Sequence, residues 1–376
     1  MQNSGETVVV GQKPKSRHWD NWLLVAVSVI VTLVVVELGF RAVTGQPVLS
    51  LKNFRTERVV INRLGDRAVP DPVLGWILRT NYRSEGFNTI DYGVRRNGDE
   101  STVRTGAVMA VGDSFTEGWD EVHDDGTWPA HLEKLLGEPV VNTAIGGYGS
   151  DQVLIRAEQM LPIVKPKTLI IGLNEIDIFR AGHAPFGAPK PYFTLKDGAL
   201  EFHPPEPLER RDDAHILNAL GYNLRNALGY SAMADFVLSK LSFDFWYGDQ
   251  KQIYRRVHNL EVPVTCALLK RVKAQADAAK IRSILFMQYY GSLYVEEDEP
   301  PDSTQLVMQC AREQGYEVVD QYPSLKALAD TDEKEFRTYY GFYENGEFGH
   351  MSSKGNAQAA QLLAAHLKGS SATVGQ

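Results

Sequence analysis

Between Trp22 and Val36 the sequence WLLVAVSVIVTLVVV contains no charge, no glycine and no proline, and the run continues past Glu37 to Leu38, Gly39 and Phe40. At a rise of about 1.5 Å per residue, 19 residues make a helix about 28 Å long, close to the hydrocarbon thickness of a bilayer. A core helix of a soluble protein would show a polar stripe, and none interrupts this run. A cleaved signal peptide would need small residues at a cleavage site after the apolar run, and ELGFRAVTGQ offers no good one. Residues 22–40 are therefore expected to form an uncleaved transmembrane signal anchor. Lys13, Lys15, Arg17 and His18 precede it and only Arg41 follows closely, so the positive-inside rule puts residues 1–21, the tail, in the cytoplasm and the rest outside. Glu37 lies near the outer end, where its side chain can reach the headgroups.

Composition narrows the choice of partners. With 39 Lys and Arg against 47 Asp and Glu, the net charge is −8, the wrong sign for a protein that tracks phosphate backbones, so no nucleic-acid partner is expected. The apolar share of 43% and charged share of 23% fit a globular chain. Cys266 and Cys310 lack CxxC or Cys/His zinc spacing, and both fall in expected helices. An oxidising compartment would permit a bridge between them, but two buried free thiols are the expectation. His123, His183, His203 and His258 show no metal-ligand spacing and are expected to be solvated or packed; no metal and no cofactor is expected.

Residues 41–105 read as a linker and lead-in containing DPVLGW at Asp71–Trp76. From Ala107 onward strands alternate with helices. Strands are expected at 107–111, 140–141, 168–173, 283–289 and 317–319, and helices at 128–136, 150–161, 266–279, 303–314 and 356–367. Thr127 and Ser150 are the expected N-caps of the first two helices. Such alternation implies parallel crossovers and a three-layer α/β/α domain with a mostly parallel sheet over residues 106–370, followed by a disordered tail at 371–376. Residues 178–262 break the pattern and are too long for a simple loop, so they read as an insertion. Its aromatic cluster Phe243, Phe245, Trp246 and Tyr247 is expected to be hydrophobic core.

In an open parallel sheet the chemistry lies at the carboxyl ends of the strands. The first expected strand ends in Gly112-Asp113-Ser114-Phe115-Thr116-Glu117-Gly118, which sets Ser114 at a sharp exit where exposed backbone N–H groups can stabilise negative charge. The second ends in Asn142-Thr143-Ala144-Ile145-Gly146-Gly147-Tyr148-Gly149, a loop whose N–H groups can approach a ligand closely. The third delivers Asn174, followed by Glu175. Near the C-terminus comes Glu347-Phe348-Gly349-His350, where a carboxylate three residues before a histidine can hold its ring in one tautomer.

These four pieces in this order resemble the SGNH branch of the GDSL esterases and lipases, over roughly residues 105–367 with the insertion unmatched. DPVLGW and the single span before it look like a membrane-anchored bacterial subgroup. The resemblance implies a flavodoxin-like fold, Ser114 as nucleophile, His350 as general base, and an oxyanion hole formed by the backbone N–H groups of Ser114 and Gly147 with the Asn174 side chain. Two positions depart from the family pattern: Glu347 stands where Asp is usual, and Glu175 follows Asn174 where Asp is usual. Glu347 is the expected third member of the triad, with Glu344, or a Ser–His dyad using a backbone carbonyl, as alternatives.

The resulting expectation is an extracytoplasmic serine esterase on a bacterial inner membrane, acting on an ester substrate such as an acylated carbohydrate or envelope polymer. An acyl-enzyme resolved by a sugar hydroxyl instead of water would make the same site an O-acetyltransferase. A non-catalytic envelope scaffold or carbohydrate-binding protein that kept the fold is a further alternative, favoured only by Glu347.

Overall fold

The computed structural model describes residues 18–49, 53–55, 65–119, 122–206, 216–241, 246, 254–343 and 346–371. The chain divides into a larger unit, Thr56–Asp213 with Gly248–Gln376, and a smaller one, Met1–Arg55 with Ala214–Tyr247.

The larger unit carries, in chain order, β1 (Ala68–Asp71), β2 (Gly75–Leu78), β3 (Val108–Val111), β4 (Val140–Asn142), β5 (Thr168–Leu173), β6 (His183–Phe186), β7 (Tyr192–Lys196), β8 (Ala199–His203), β9 (Tyr254–Arg256), β10 (Arg282–Met287), β11 (Glu317–Asp320), β12 (Tyr340–Phe342) and β13 (Phe348–Met351). Five of these form one parallel sheet in the order β11-β10-β5-β3-β4. Every residue of β3, β4 and β5 is buried, so these strands read as continuous apolar runs, as a sheet covered on both faces requires. From β3 the chain crosses first to β4 on one side and then to β5 on the other. That reversal opens a crevice at the carboxyl ends of β3 and β5, the place where open sheets of this topology bind ligands.

Local chemistry explains the flanking helices. Thr127 Oγ1 accepts from Ala130 N at 3.2 Å and caps the helix Trp128–Leu136, as its sequence suggests. The helix Ser150–Val164 begins differently from the expected Ser150 cap. Gly149 is its N-cap, the Gln152 side chain accepts from Gly149 N at 3.0 Å, and Ser150 Oγ pairs with Thr265 Oγ1 at 2.7 Å.

The expectation of two free thiols is overturned: Cys266 and Cys310 are joined by a disulfide. Helices Glu261–Ala278 and Asp302–Glu313 pack side by side and bring the two Cα atoms to 6.0 Å, within bridging range.

Residues 65–105 do more than link. β1 and β2 pair antiparallel, and Trp76, Leu78 and Phe87 are buried in the same apolar core as the sheet. The insertion is split between the two units. In the larger one β6 pairs with β9 and β7 with β8. Here Lys190 Nζ, fully buried, meets Asp151 Oδ2 at 2.6 Å and donates to the carbonyls of His183 and Pro191. Three of the four histidines expected to be solvated or packed make hydrogen bonds: His183 with Phe179 O, His203 with Thr194 Oγ1 and His258 with Phe193 O.

In the smaller unit the helix His18–Val43 contains a 23-residue segment, Asn21–Val43, long and apolar enough to cross a membrane. The helices Ile216–Leu228 and Ala232–Leu241 are joined by a short turn that lies against the end of that helix, through Arg41 Nη2 donating to Tyr230 O at 2.7 Å. Of the insertion's aromatic cluster, Trp246 is buried and donates from Nε1 to Asp235 Oδ1 at 2.8 Å. Phe243, Phe245 and Tyr247, like residues 372–376 and the N-terminal tail before His18, lie outside the described residues.

Candidate active site

β3 delivers Ser114 to the crevice. Asp113 takes an extended conformation as N-cap of the turn Ser114–Glu117, and its Oδ1 accepts from Phe115 N at 2.9 Å, which fixes the exit from the strand. Ser114 is only 3% exposed and His350, on β13, only 8%, yet their functional atoms meet: His350 Nε2 lies 2.9 Å from Ser114 Oγ. The residues are 236 positions apart in sequence. Ser114 Oγ also lies 3.1 Å from Asp113 Oδ2. A hydroxyl has one proton, so it donates to Asp113 when His350 is an imidazolium and can turn to Nε2 when the imidazole is neutral.

Asn174 follows β5 on the same rim. Its Oδ1 accepts from Asp177 N at 3.0 Å, Asp177 Oδ2 accepts from Asn174 N at 3.0 Å, and its Nδ2 donates to Asp113 Oδ2 at 3.1 Å. This reciprocal cap fixes which end of the amide faces the crevice. One Nδ2 hydrogen is taken by Asp113. Arg180 Nη1 completes the cluster, 3.1 Å from Asp177 Oδ1, 3.4 Å from Asp113 Oδ2 and 2.9 Å from Tyr148 O. Burial, reinforced by the neighbouring Asp113, pushes the Asp177 carboxyl well above the usual range, against the pull of Arg180.

The glycine loop is held from two sides. Gly146 N donates to the buried Glu117 Oε1 at 3.0 Å, and Gly146 O accepts from Trp76 Nε1 at 3.1 Å. A Cβ on Gly146 would strike the Trp119 ring, and Gly147 has φ +80°, so each position requires glycine. Burial pushes the Glu117 carboxyl up, opposed chiefly by Arg67.

Aromatic rings enclose His350. Trp119 stacks on it with centroids 5.5 Å apart and planes 15° apart, while Phe115 and Tyr290 approach at 5.3 and 6.3 Å. Arg67 stands over Trp119 at 4.3 Å and over Phe87 at 4.4 Å, and Arg95 stands over Phe87 at 4.3 Å. These form a column from the lead-in to the histidine.

The structure thus brings Ser114, His350 and Asn174 to one crevice, with Gly147 on the adjoining loop. Glu347 is exposed, and its backbone carbonyl accepts from Tyr343 N at 2.9 Å; Glu344 lies outside the described residues. Glu175 is half-buried with its Oε2 shielded from water and without a hydrogen bond, and burial raises its carboxyl to about 7. Sequence reasoning missed Arg180, Glu117, Trp119 and Tyr290. The Asn174–Asp177 spacing, a capping-box pattern, was the available signal for the amide's support.

No protein-family model matches this chain, and no curated protein does. Solved structures do. Similar structures include a G-D-S-L family protein from Desulfitobacterium hafniense DCB-2, 14% identical, covering 69% of this chain and 98% of that one at a TM-score of 0.34. A lipase/acylhydrolase from Enterococcus faecalis is 16% identical, covering 70% and 96% at a TM-score of 0.37. A variant of an acetyl-xylooligosaccharide esterase from Geobacillus Stearmophilus is 14% identical, covering 70% and 92% at 0.36.

Proposed function

We propose that this chain is a membrane-anchored serine ester hydrolase. The observation that carries the reading is the 2.9 Å approach of His350 Nε2 to Ser114 Oγ at the reversal point of the sheet. His350 takes the Ser114 proton as Oγ attacks the ester carbonyl, and the oxyanion is received by the Ser114 and Gly147 N–H groups and the second Nδ2 hydrogen of Asn174. The imidazolium returns its proton to the departing alcohol. Water, deprotonated by the same ring, then releases the acid and restores Ser114. Glu347 serves in this reading as the carboxylate that holds the ring.

The rings of Phe115, Trp119 and Tyr290 around the dyad support a short acyl group, acetyl above all, carried on a carbohydrate alcohol. The apolar span supports attachment to an inner membrane with the larger unit outside, and the Cys266–Cys310 bridge supports the same oxidising side.

The test uses the full chain in detergent, as wild type and Ser114→Ala. A fluorophosphonate probe should label wild type alone, and release of p-nitrophenol from its acetate ester should be lost with the serine. Absent labelling, or labelling that survives the substitution, would sink the reading.

A further inference from the structure

Within Asn21–Val43 the charged residues are Glu37 and Arg41. If Trp22–Phe40 fills the hydrocarbon core, Glu37 lies about 5 Å inside its outer boundary, at 1.5 Å per residue. A carboxylate at that depth needs partners, because the lipid offers none. It has them: Oε1 accepts from Arg41 Nε at 2.6 Å and from Ala232 N at 2.7 Å, and Oε2 from Ser231 Oγ at 2.6 Å and Met233 N at 3.2 Å. The two backbone donors open the helix Ala232–Leu241, where no intrahelical acceptor exists and the helix dipole favours a negative charge. Arg41 reaches on to Tyr230 O. The turn that precedes this helix therefore stands at the depth of Glu37.

Beyond the turn, the helix Ala232–Leu241 continues the surface of the anchor. The Phe236 and Phe40 rings meet at 5.5 Å, while Phe236 and Val237 remain 41% and 40% exposed, and Tyr230 at the turn 50%. Val25, Ile30 and Val35 along the apolar helix are exposed in the same way. Lys240 Nζ lies over the Phe236 ring, with a stem long enough for its charge to reach the headgroups.

We infer that the turn at 229–231 and the helix Ala232–Leu241 form a membrane-interfacial element: the turn and the Phe236–Val237 face occupy the outer boundary of the phospholipid bilayer, with Glu37 as the clamp. The inference rests on the anchor reading of residues 22–40. It adds a lipid contact made by the insertion, separate from the hydrolytic site.

The experiment places a nitroxide on Tyr230→Cys or Val237→Cys in the full chain, reconstituted into phosphatidylcholine/phosphatidylglycerol vesicles. The native cysteines are bridged to each other, which leaves the introduced thiol to react. Collision with oxygen, which partitions into lipid, is compared with collision with a water-soluble nickel chelate. Val31→Cys marks the anchor and Lys196→Cys, exposed on β7, marks water. The oxygen-to-nickel ratio at positions 230 and 237 should exceed that at 196 by about three- to tenfold. In the Glu37→Ala background it should fall toward the value at 196. A ratio equal to that at 196, shielding from both reagents, or indifference to Glu37→Ala would each overturn the inference. If the label at Val31 itself reports water, the anchor reading has failed first.

Discussion

The Trp119 indole lies flat on the His350 imidazole, 5.5 Å away and tilted by 15°, and its edge occupies the space a side chain at position 146 would need. Ser114, Glu117 and Trp119 belong to one short segment. That segment supplies Ser114, fastens the glycine loop through Gly146 N and lays an indole against the His350 ring.

Trp119→Ala should therefore lower kcat by about ten- to a hundredfold with a smaller change in KM, since a misplacement of about 1 Å costs rates of that order. Trp119→Phe, which keeps a flat face, should recover most of the loss. Steady-state kinetics on a short-chain ester checks both.

Asn174→Ala removes the amide held between Asp177 and Asp113. A loss of about 10²–10³-fold in kcat is expected, the usual cost of one oxyanion donor. An unchanged thermal transition would separate this from a folding defect, and near-normal turnover would assign the oxyanion to other groups.

Glu175 links stability to pH. Its carboxyl titrates near 7 in the folded chain against a reference of 4.5, so between those values the folded state holds a proton that the unfolded chain has released. Stability therefore falls as pH rises through this window, by up to about 3 kcal/mol at about 1.4 kcal/mol per pKa unit. Glu175→Gln should remove this contribution. Urea titrations of both proteins at pH 5 and pH 8 should show the variant gaining on wild type at the higher pH.

Lys190→Met leaves Asp151 charged and buried without its partner, and should cost about 3–5 kcal/mol. Adding Asp151→Leu should restore much of it, because an apolar pair carries no desolvation penalty. Chemical denaturation of the single and double variants measures the difference.

Breaking the bridge with Cys266→Ser and Cys310→Ser should lower stability by about 2–4 kcal/mol, through the loop that 44 residues of separation close. Wild type measured with a reducing agent should show the same shift.

The strands of the sheet, with Ser114 just beyond β3 and Asn174 just beyond β5, were legible because buried parallel strands leave uninterrupted apolar runs; His350 lies on β13, outside that sheet. The Ser150 cap was misread because a glutamine two residues later could serve the Gly149 N–H, a choice that depends on where Ser150 finds Thr265. The disulfide escaped because spacing in sequence says nothing about how two helices pack. Lys190 was invisible for a related reason: a lysine after Gly-Ala-Pro looks solvated until Asp151 is brought to it. Trp119 and Arg67 belong to segments 52 residues apart, and only the fold stacks Arg67 on Trp119 and Trp119 on His350.

The Trp76 indole donates to Gly146 O, and the Tyr148 hydroxyl donates back to Trp76 O at 2.6 Å. The larger unit consequently has no independent start at residue 106. A soluble form made for assay or crystallisation must begin upstream of β1, and a protease that shed the unit by cutting between β2 and β3 would release it with the glycine loop unfastened. A cut at that point would part Trp76 from Gly146 and Tyr148, while a cut nearer the anchor would keep those two bonds together.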